Sequence, residues 1–299
     1  MRAAIDIGSN SLLMLILDDA GKTVSDEARV VGLGRGLGER GVFRPERMEA
    51  TLKVLKEYSE KAKSLGVAPE TIRAVATSAS RRALNATTFY AQVRAQTGLK
   101  VEVISGEEEA RLTWLGSIDG LNLPPGPTML VDPGGGSTEV IMGEGDRIQY
   151  RVSTELGTVR LTEAFVGYGS VEAGAFSRLR AAVEQGVEQV NLPGIPRSAV
   201  AVAGTATTLA AMELGLKTYD PTKVHGSTLT QAALRRWIDR LIDSTPEQRR
   251  ELVAVSPERA DTVLAGAIIL SHVLERSRRQ SYRVSDRGLR YGILAQPAR

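Results

Sequence analysis

Two short segments carry residue types suited to holding phosphate. Asp6-Ile7-Gly8-Ser9-Asn10-Ser11 and Asp132-Pro133-Gly134-Gly135-Gly136-Ser137 each place an aspartate five positions before a serine, across a glycine-containing turn. Glycine lets backbone N–H groups approach an anion closely, and the serine adds a hydroxyl. An aspartate at the end of the preceding strand can hold a divalent cation, directly or through water. One such loop alone reads slightly better as a tight hairpin between two strands. Two copies read as paired half-sites that grip a phosphate chain. Ser9, Asn10 and Ser11 line one of them, Gly134, Gly135, Gly136 and Ser137 the other, and Asp6 and Asp132 stand near the metal.

Other segments add candidates. Gly204-Thr205-Ala206-Thr207-Thr208 leaves a strand and opens a helix, so Gly204 and Thr205 are candidates for an anion at a helix N-terminus; a threonine cap without a ligand is the alternative. Glu107-Glu108-Glu109 opens another helix, where acidic side chains suit the helix dipole. A cleft-facing Glu109 would in addition orient water for attack. Glu139 lies two residues after Ser137, on the same face of a strand, as a candidate ligand of metal or water. Arg81, in the strand-to-helix turn Ala76-Thr77-Ser78-Ala79-Ser80-Arg81-Arg82, has the planar fork that suits phosphate; a solvated arginine face is the bland alternative. The two histidines, His225 and His272, have no metal-pair spacing and read as structural. There is no Walker-type Gly-Lys-Ser/Thr motif.

These loops need strands to end them and helices to brace them. The pattern predicts a strand at Ala3–Ile7 running through the first loop into an apolar run, Leu12–Leu17. It predicts one or two strands over Lys22–Arg35, and a helix over Pro45–Leu65 with proline in its first turn and glycine at its end. A strand at Ile72–Ala76, a helix at Asn85–Thr97, a strand at Val101–Ile104 and a helix at Gly106–Ser117 follow. Leu123–Pro127 reads as a linker. The second half repeats the pattern with strands to about Ser153, helices at Val159–Phe165 and Val171–Gln189, and a strand at Val200–Ala203. The C-terminal third reads as helical, with helices at Leu229–Ile242 and Pro257–Arg278, then a strand and helix over Tyr282–Leu294. Alternating strands and helices give an α/β class, and the distant repeat gives two domains, 1–124 and 125–299, the last helix being free to pack back on the first.

The 299 residues are enough for two ordinary domains. Cysteine is absent, which excludes disulfides and thiolate metal sites and fits a reducing cytosol. The net charge is only +3, and no lysine or arginine run is dense enough for a nucleic-acid stripe. The apolar runs, such as Leu264–Leu270, are too short to span a membrane, and the N-terminus does not read as a secretory signal. The expectation is a cytoplasmic protein with neither nucleic acid nor membrane as partner.

Taken in order, the motifs resemble the short form of the exopolyphosphatase / guanosine-pentaphosphate phosphatase (Ppx/GppA) family of the actin–hexokinase–Hsp70 superfamily. They are AIDIGSNS (Ala4–Ser11), ATSASRRALN (Ala76–Asn85), ISGEEEARL (Ile104–Leu112), DPGGGSTE (Asp132–Glu139), LGTVRLTE (Leu156–Glu163), AGTATTLAAM (Ala203–Met212), VHG (Val224–Gly226), RADTVLAGAI (Arg259–Ile268) and SDRGLRYG (Ser285–Gly292). The resemblance implies two ribonuclease-H-like, actin-like domains with the active site in a central cleft. It implies Mg²⁺-dependent release of orthophosphate from inorganic polyphosphate or guanosine pentaphosphate, with Mn²⁺ as a substitute metal and K⁺ as a candidate monovalent cation. Glu109 takes the position of the water-activating base and Arg81 that of a phosphate ligand, while Asp132 and Glu139 lie near the metal, with help from Asp6. Three positions depart from the family pattern. Leu13 and Gly32 replace basic residues, and Pro133 replaces an aliphatic one, removing an N–H. The first two predict a weaker grip on a long polyanion. An ATPase or kinase on the same fold, and a non-catalytic sensor of polyphosphate or of guanosine penta- and tetraphosphate, stay open as rivals, and so does a homodimer.

Overall fold

A computed structural model describes residues 1–295; the last four residues of the predicted second domain lie outside it. Contacts divide the chain into two compact units, Met1–Gly116 with the C-terminal helix, and Ser117–Gly288.

The first unit is built on β1 (Arg2–Ile7), β2 (Ser11–Leu17), β3 (Thr23–Val30), α1 (Leu37–Arg40), α2 (Pro45–Ser64), β4 (Arg73–Ala76), α3 (Ser78–Arg82), α4 (Ala86–Thr97), β5 (Val101–Val103) and most of α5 (Gly106–Ile118). Its sheet order is β3-β2-β1-β4-β5. β1, β2 and β3 are antiparallel neighbours, whereas β4 and β5 run parallel to β1. The carboxyl ends of β1, β4 and β5 therefore share one edge, and the first phosphate loop, the Arg81 turn and the start of α5 all leave from it. In open α/β sheets ligands bind outside that edge.

Both faces of this sheet are covered. Ile5, Ile7, Met14 and Ala74 pack on one side with Leu52, Leu55 and Tyr58 of α2 and Phe89 and Val93 of α4. Ala4, Leu15 and Val75 pack on the other with Leu112 of α5 and with Leu289 and Ile293 of the C-terminal helix, Leu289–Ala295. α2 starts on Pro45 and buries one stripe, as its spacing predicts.

The second unit contains β6 (Thr128–Pro133), β7 (Thr138–Glu144), β8 (Arg147–Thr154), α6 (Thr158–Leu161), α7 (Ala173–Val187), β9 (Ser198–Ala201), α8 (Ala203–Glu213), α9 (Pro221–Val224), β10 (Thr228–Thr230), α10 (Gln231–Ile242), α11 (Pro246–Leu252), α12 (Val263–Arg276) and β11 (Ser281–Val284). Its sheet order is β10-β11-β9-β6-β7-β8. Without β10 this reproduces the first unit, with β6, β7 and β8 antiparallel and β9 parallel to β6. The two units share the ribonuclease-H-like arrangement, and each phosphate loop is also the hairpin that joins its unit's first two strands. The apolar core of this unit gathers Met129, Val131, Ala199 and Val284 with Leu179, Leu209, Leu234 and Ile268.

Four boundaries differ from the sequence pattern. The division falls inside α5, which runs from Gly106 to Ile118, and not at the proline-rich stretch; the C-terminal helix packs on the first unit, as the sequence pattern allows. The helix expected from Leu229 begins at Gln231; before it, Thr228–Thr230 pairs with β11 as a three-residue strand too short to leave a period, and the Thr230 hydroxyl caps the helix on the Ala233 N–H. Pro257–Arg278 splits into a single 3₁₀ turn and α12, since Thr262 N–H closes a turn on Arg259 O. The helix at Val159–Phe165 widens after Leu161 into a π turn, closed by Gly167 N–H on Thr162 O at 2.7 Å. No described helix is long and apolar enough to cross a membrane.

Asn85 shows how a loop is fastened to this scaffold. Its side chain accepts from Phe43 N–H at 2.8 Å and donates to Phe43 O at 3.1 Å. We expect Asn85→Ala to cost about 1–3 kcal/mol in chemical denaturation, because it strands two half-buried backbone groups. An unchanged midpoint would mean that water replaces both bonds.

Candidate active site

The two loops are the same turn. Gly8 N–H donates to Ser11 O at 3.0 Å, and Gly134 N–H donates to Ser137 O at 2.9 Å. A Cβ on Gly8 would stand 3.1 Å from Ser11 O, and one on Gly134 would stand 3.0 Å from Ser137 O, so a larger residue at either place opens the turn. Among the described residues the N–H groups of Ser9, Asn10, Gly135 and Gly136 donate to no protein acceptor. These are the free donors that an anion-binding loop requires.

The register carries the likeness one step further and then breaks it. Asp6 is paired across the hairpin with Leu13, and Asp132 with Glu139. Directly opposed residues of an antiparallel pair project to the same face. The second loop therefore presents two carboxylates side by side, and the first presents one carboxylate beside a leucine. Glu139 is held by its neighbours: its Oε1 accepts from Ser137 Oγ at 2.7 Å and from Ser153 Oγ at 2.8 Å. Ser137 thus orients Glu139 in addition to lining the loop. Pro133 is the last residue of β6, paired with Thr138, so its missing donor falls at the end of the ladder. The segment after β8 braces this loop from behind. Thr158 N–H donates to Gly134 O, and Val159 and Arg160 N–H donate to Gly135 O.

Asp6 is buried at 9% exposure, and its Oδ1 has no hydrogen-bond partner. Burial pushes its carboxyl up to about 7, against the pull of the Arg290 guanidinium. Arg290 is fixed by a two-pronged ion pair with Asp26, Nε–Oδ1 2.7 Å and Nη2–Oδ2 2.9 Å, and Tyr291 donates to the same carboxylate. An orphaned buried carboxylate oxygen suits a cation. Among the described residues no three carboxylate or imidazole groups gather into one cluster.

Glu109 and Arg81 meet. Arg81 Nη1 donates to Glu109 Oε2 at 2.6 Å and to Ile104 O at 3.1 Å. The neighbouring Glu108 turns instead to Arg111, at 2.8 Å. Ser105 starts α5, its Oγ accepting from Glu108 N–H at 3.1 Å. α3 is held in turn by a buried hydroxyl pair, Ser80 Oγ to Tyr90 Oη at 2.6 Å. Glu109 therefore sits on a rigid helix start with its carboxylate aimed by a guanidinium.

The third loop differs. The Arg259 guanidinium lies over Gly204, in the space that a side chain there would fill, and Thr205 is buried against Gly266. Burial lowers the Arg259 pKa from its ordinary value. Sequence reasoning gave no role to Arg290, Ser153 or Arg259. Arg290 and Arg259 lie in motifs already recognised, SDRGLRYG and RADTVLAGAI; Ser153 leaves no signal beyond strand alternation.

Comparison with known proteins agrees with this geometry. The profile of the Ppx/GppA phosphatase family matches residues 16–298. The chain is 35% identical over 295 residues to Exopolyphosphatase 2 of Mycobacterium tuberculosis, covering 93% of this chain and 91% of that one. Its structure is similar to that of the Aquifex aeolicus Ppx/GppA family member, at 37% identity and a TM-score of 0.79, covering 98% of this chain and 95% of that one. It is also similar to an exopolyphosphatase-like protein, at 30% identity and a TM-score of 0.91, covering 99% and 98%.

Asp6 gives a test of the loop's electrostatics. Its carboxyl holds a proton in the folded state that the unfolded chain releases near the ordinary value of 3.8. Between about pH 4 and 7 the folded state therefore binds more protons, and stability falls as the pH rises. Above pH 7 the loss is complete, at most roughly 4 kcal/mol at 1.36 kcal/mol per pK unit. Without added metal, Asp6→Asn should raise the melting temperature at pH 8 and leave it nearly unchanged at pH 5. Equal shifts at both would show that Asp6 is already satisfied.

Proposed function

Since the chain belongs to the Ppx/GppA phosphatase family, we propose that it is a Mg²⁺-dependent hydrolase that releases orthophosphate from the end of inorganic polyphosphate or from guanosine pentaphosphate. The observation that carries this reading is the Glu109 carboxylate, fixed at 2.6 Å by Arg81 on the sheet edge that also bears the first phosphate loop. The reducing cytoplasm is the compartment that a cysteine-free chain of this activity suits.

In the second unit Asp132 and Glu139 are the residues that would hold Mg²⁺, and in the first unit Asp6 offers a further carboxylate for it. The ion would neutralise charge on the phosphoryl oxygens. Every other part is supplied by the chain. The N–H groups of Ser9, Asn10, Gly135 and Gly136 bind non-bridging oxygens, and the Ser11 hydroxyl adds a donor. Glu109 accepts a proton from the attacking water. Water's oxygen bonds to the terminal phosphorus, the bridging P–O bond breaks, and the shortened chain leaves with the electron pair. Phosphoryl transfer needs little beyond positioning and charge stabilisation, so this inventory suffices. Arg81 keeps Glu109 in line and adds positive charge at the developing phosphoryl oxygens. Gly204 and Thr205 have a lesser part, because Arg259 and Gly266 already pack against them.

Glu109→Gln should lower Mg²⁺-dependent phosphate release by about 10²–10⁴-fold, while polyphosphate binding, measured by calorimetry, changes little. Release at near-normal rate would take the base role from Glu109. Phosphate transfer that appears only with an added acceptor would make the protein a kinase.

A further inference from the structure

Gly32 stands where the family pattern has arginine, which predicts a weaker grip on a polyanion. The structure fills that space from elsewhere. The stretch Val31–Gly36 lies against the first phosphate loop: Val31 and Gly32 N–H donate to Asn10 O at 3.0 and 2.9 Å, and Gly34 N–H donates to Ser9 O at 2.7 Å. Gly32 and Gly36 have φ of +64° and +72°, in the left-handed region that favours glycine. At Gly32 the Arg35 side chain folds back, so that its Cδ and Nε lie 2.8 Å from where a Cβ would be. At Gly36 the Arg44 guanidinium fills the equivalent space. Arg47 joins this row by donating to Val31 O at 3.4 Å.

The side-chain arm of Arg35 and the guanidinium of Arg44 thus pack on glycine backbone, along the segment that clasps the loop. Packing of this kind fixes a long side chain that would otherwise lose rotamer entropy on binding, and the planar fork pairs with two oxygens of one phosphoryl group. A left-handed glycine leaves the room, and a β-carbon at 32 would displace Arg35.

We propose that Arg35 and Arg44 form a polyanion subsite beside the first phosphate loop, holding phosphoryl groups of the chain beyond the one that is cleaved. The charge missing at residue 32 is thereby restored from residue 35. The proposal rests on polyphosphate being the substrate. It makes these arginines selective for chain length, since a substrate with few phosphoryl groups does not extend to them.

The test uses the full chain and two probes, long-chain polyphosphate and tripolyphosphate. Arg35→Gln/Arg44→Gln is compared with Arg94→Gln/Lys100→Gln, which removes the same charge from exposed positions of the same unit. For the first double variant, Kd and KM for the long chain should rise at least about tenfold more than for tripolyphosphate. The slope of log K against log salt should fall by about one for each arginine lost. The control should keep the wild-type ratio between the two probes, and Arg35→Lys, with the charge but without the fork, should fall between. Equal losses on both probes, or unchanged long-chain binding in a variant whose circular dichroism and melting are intact, would overturn the subsite. Long-chain binding that depends on these arginines but yields no orthophosphate supports the subsite and sinks the hydrolase reading. Phosphate release that ignores the double variant does the reverse.

Discussion

The close approach of a glycine amide to a serine carbonyl, Gly8 to Ser11 and Gly134 to Ser137, is the constraint on which the candidate site depends. A Cβ at either glycine would stand about 3 Å from that oxygen, so the turn would have to give by a few tenths of an ångström to admit one. The turn in its place brings the aspartate at the end of one strand opposite a residue on the next. It also leaves the intervening N–H groups without protein partners. One backbone bond therefore creates both parts of a phosphate and cation half-site, a carboxylate on the strand, joined by a second only at Asp132–Glu139, and free donors in the loop.

The repeat is equal in backbone and unequal in chemistry. Opposite Asp132 stands Glu139, held by two serine hydroxyls; opposite Asp6 stands Leu13. The first unit makes up the difference with arginine. Arg290, anchored on Asp26, faces the buried Asp6, and Arg81 aims Glu109. The Arg35 side-chain arm and the Arg44 guanidinium pack on the glycine backbone beside the first loop. Arg290 is buried and the Arg81–Glu109 pair half-buried, so both are screened less than a surface pair. Their role lies in where they hold a carboxylate.

The phosphate loops were legible because glycine, aspartate and serine at fixed spacing have few other uses, and the strands beside them because β-branched and apolar runs end at those loops. The two-unit plan was legible from the repeat. The Arg81–Glu109 pair was not, since 28 residues separate the partners and only the parallel alignment of β4 and β5 makes them neighbours. Arg290 was hidden for the same reason, lying 264 residues from Asp26. Ser153 reaches Glu139 through strand pairing that no local pattern announces. β10 escaped notice because three residues are too few to show a period of two. Gly32 read as a loss of charge because a sequence does not show that Arg35 folds into the vacated space.

Hydrolysis in ¹⁸O-labelled water tests the central claim most directly. Polyphosphate is supplied with Mg²⁺ and no acceptor, and the released orthophosphate is analysed by mass. Attack by a Glu109-activated water on the terminal phosphorus places one labelled oxygen in each orthophosphate released. Unlabelled orthophosphate, with the label left on the remaining chain, or no release without an acceptor, would contradict the account.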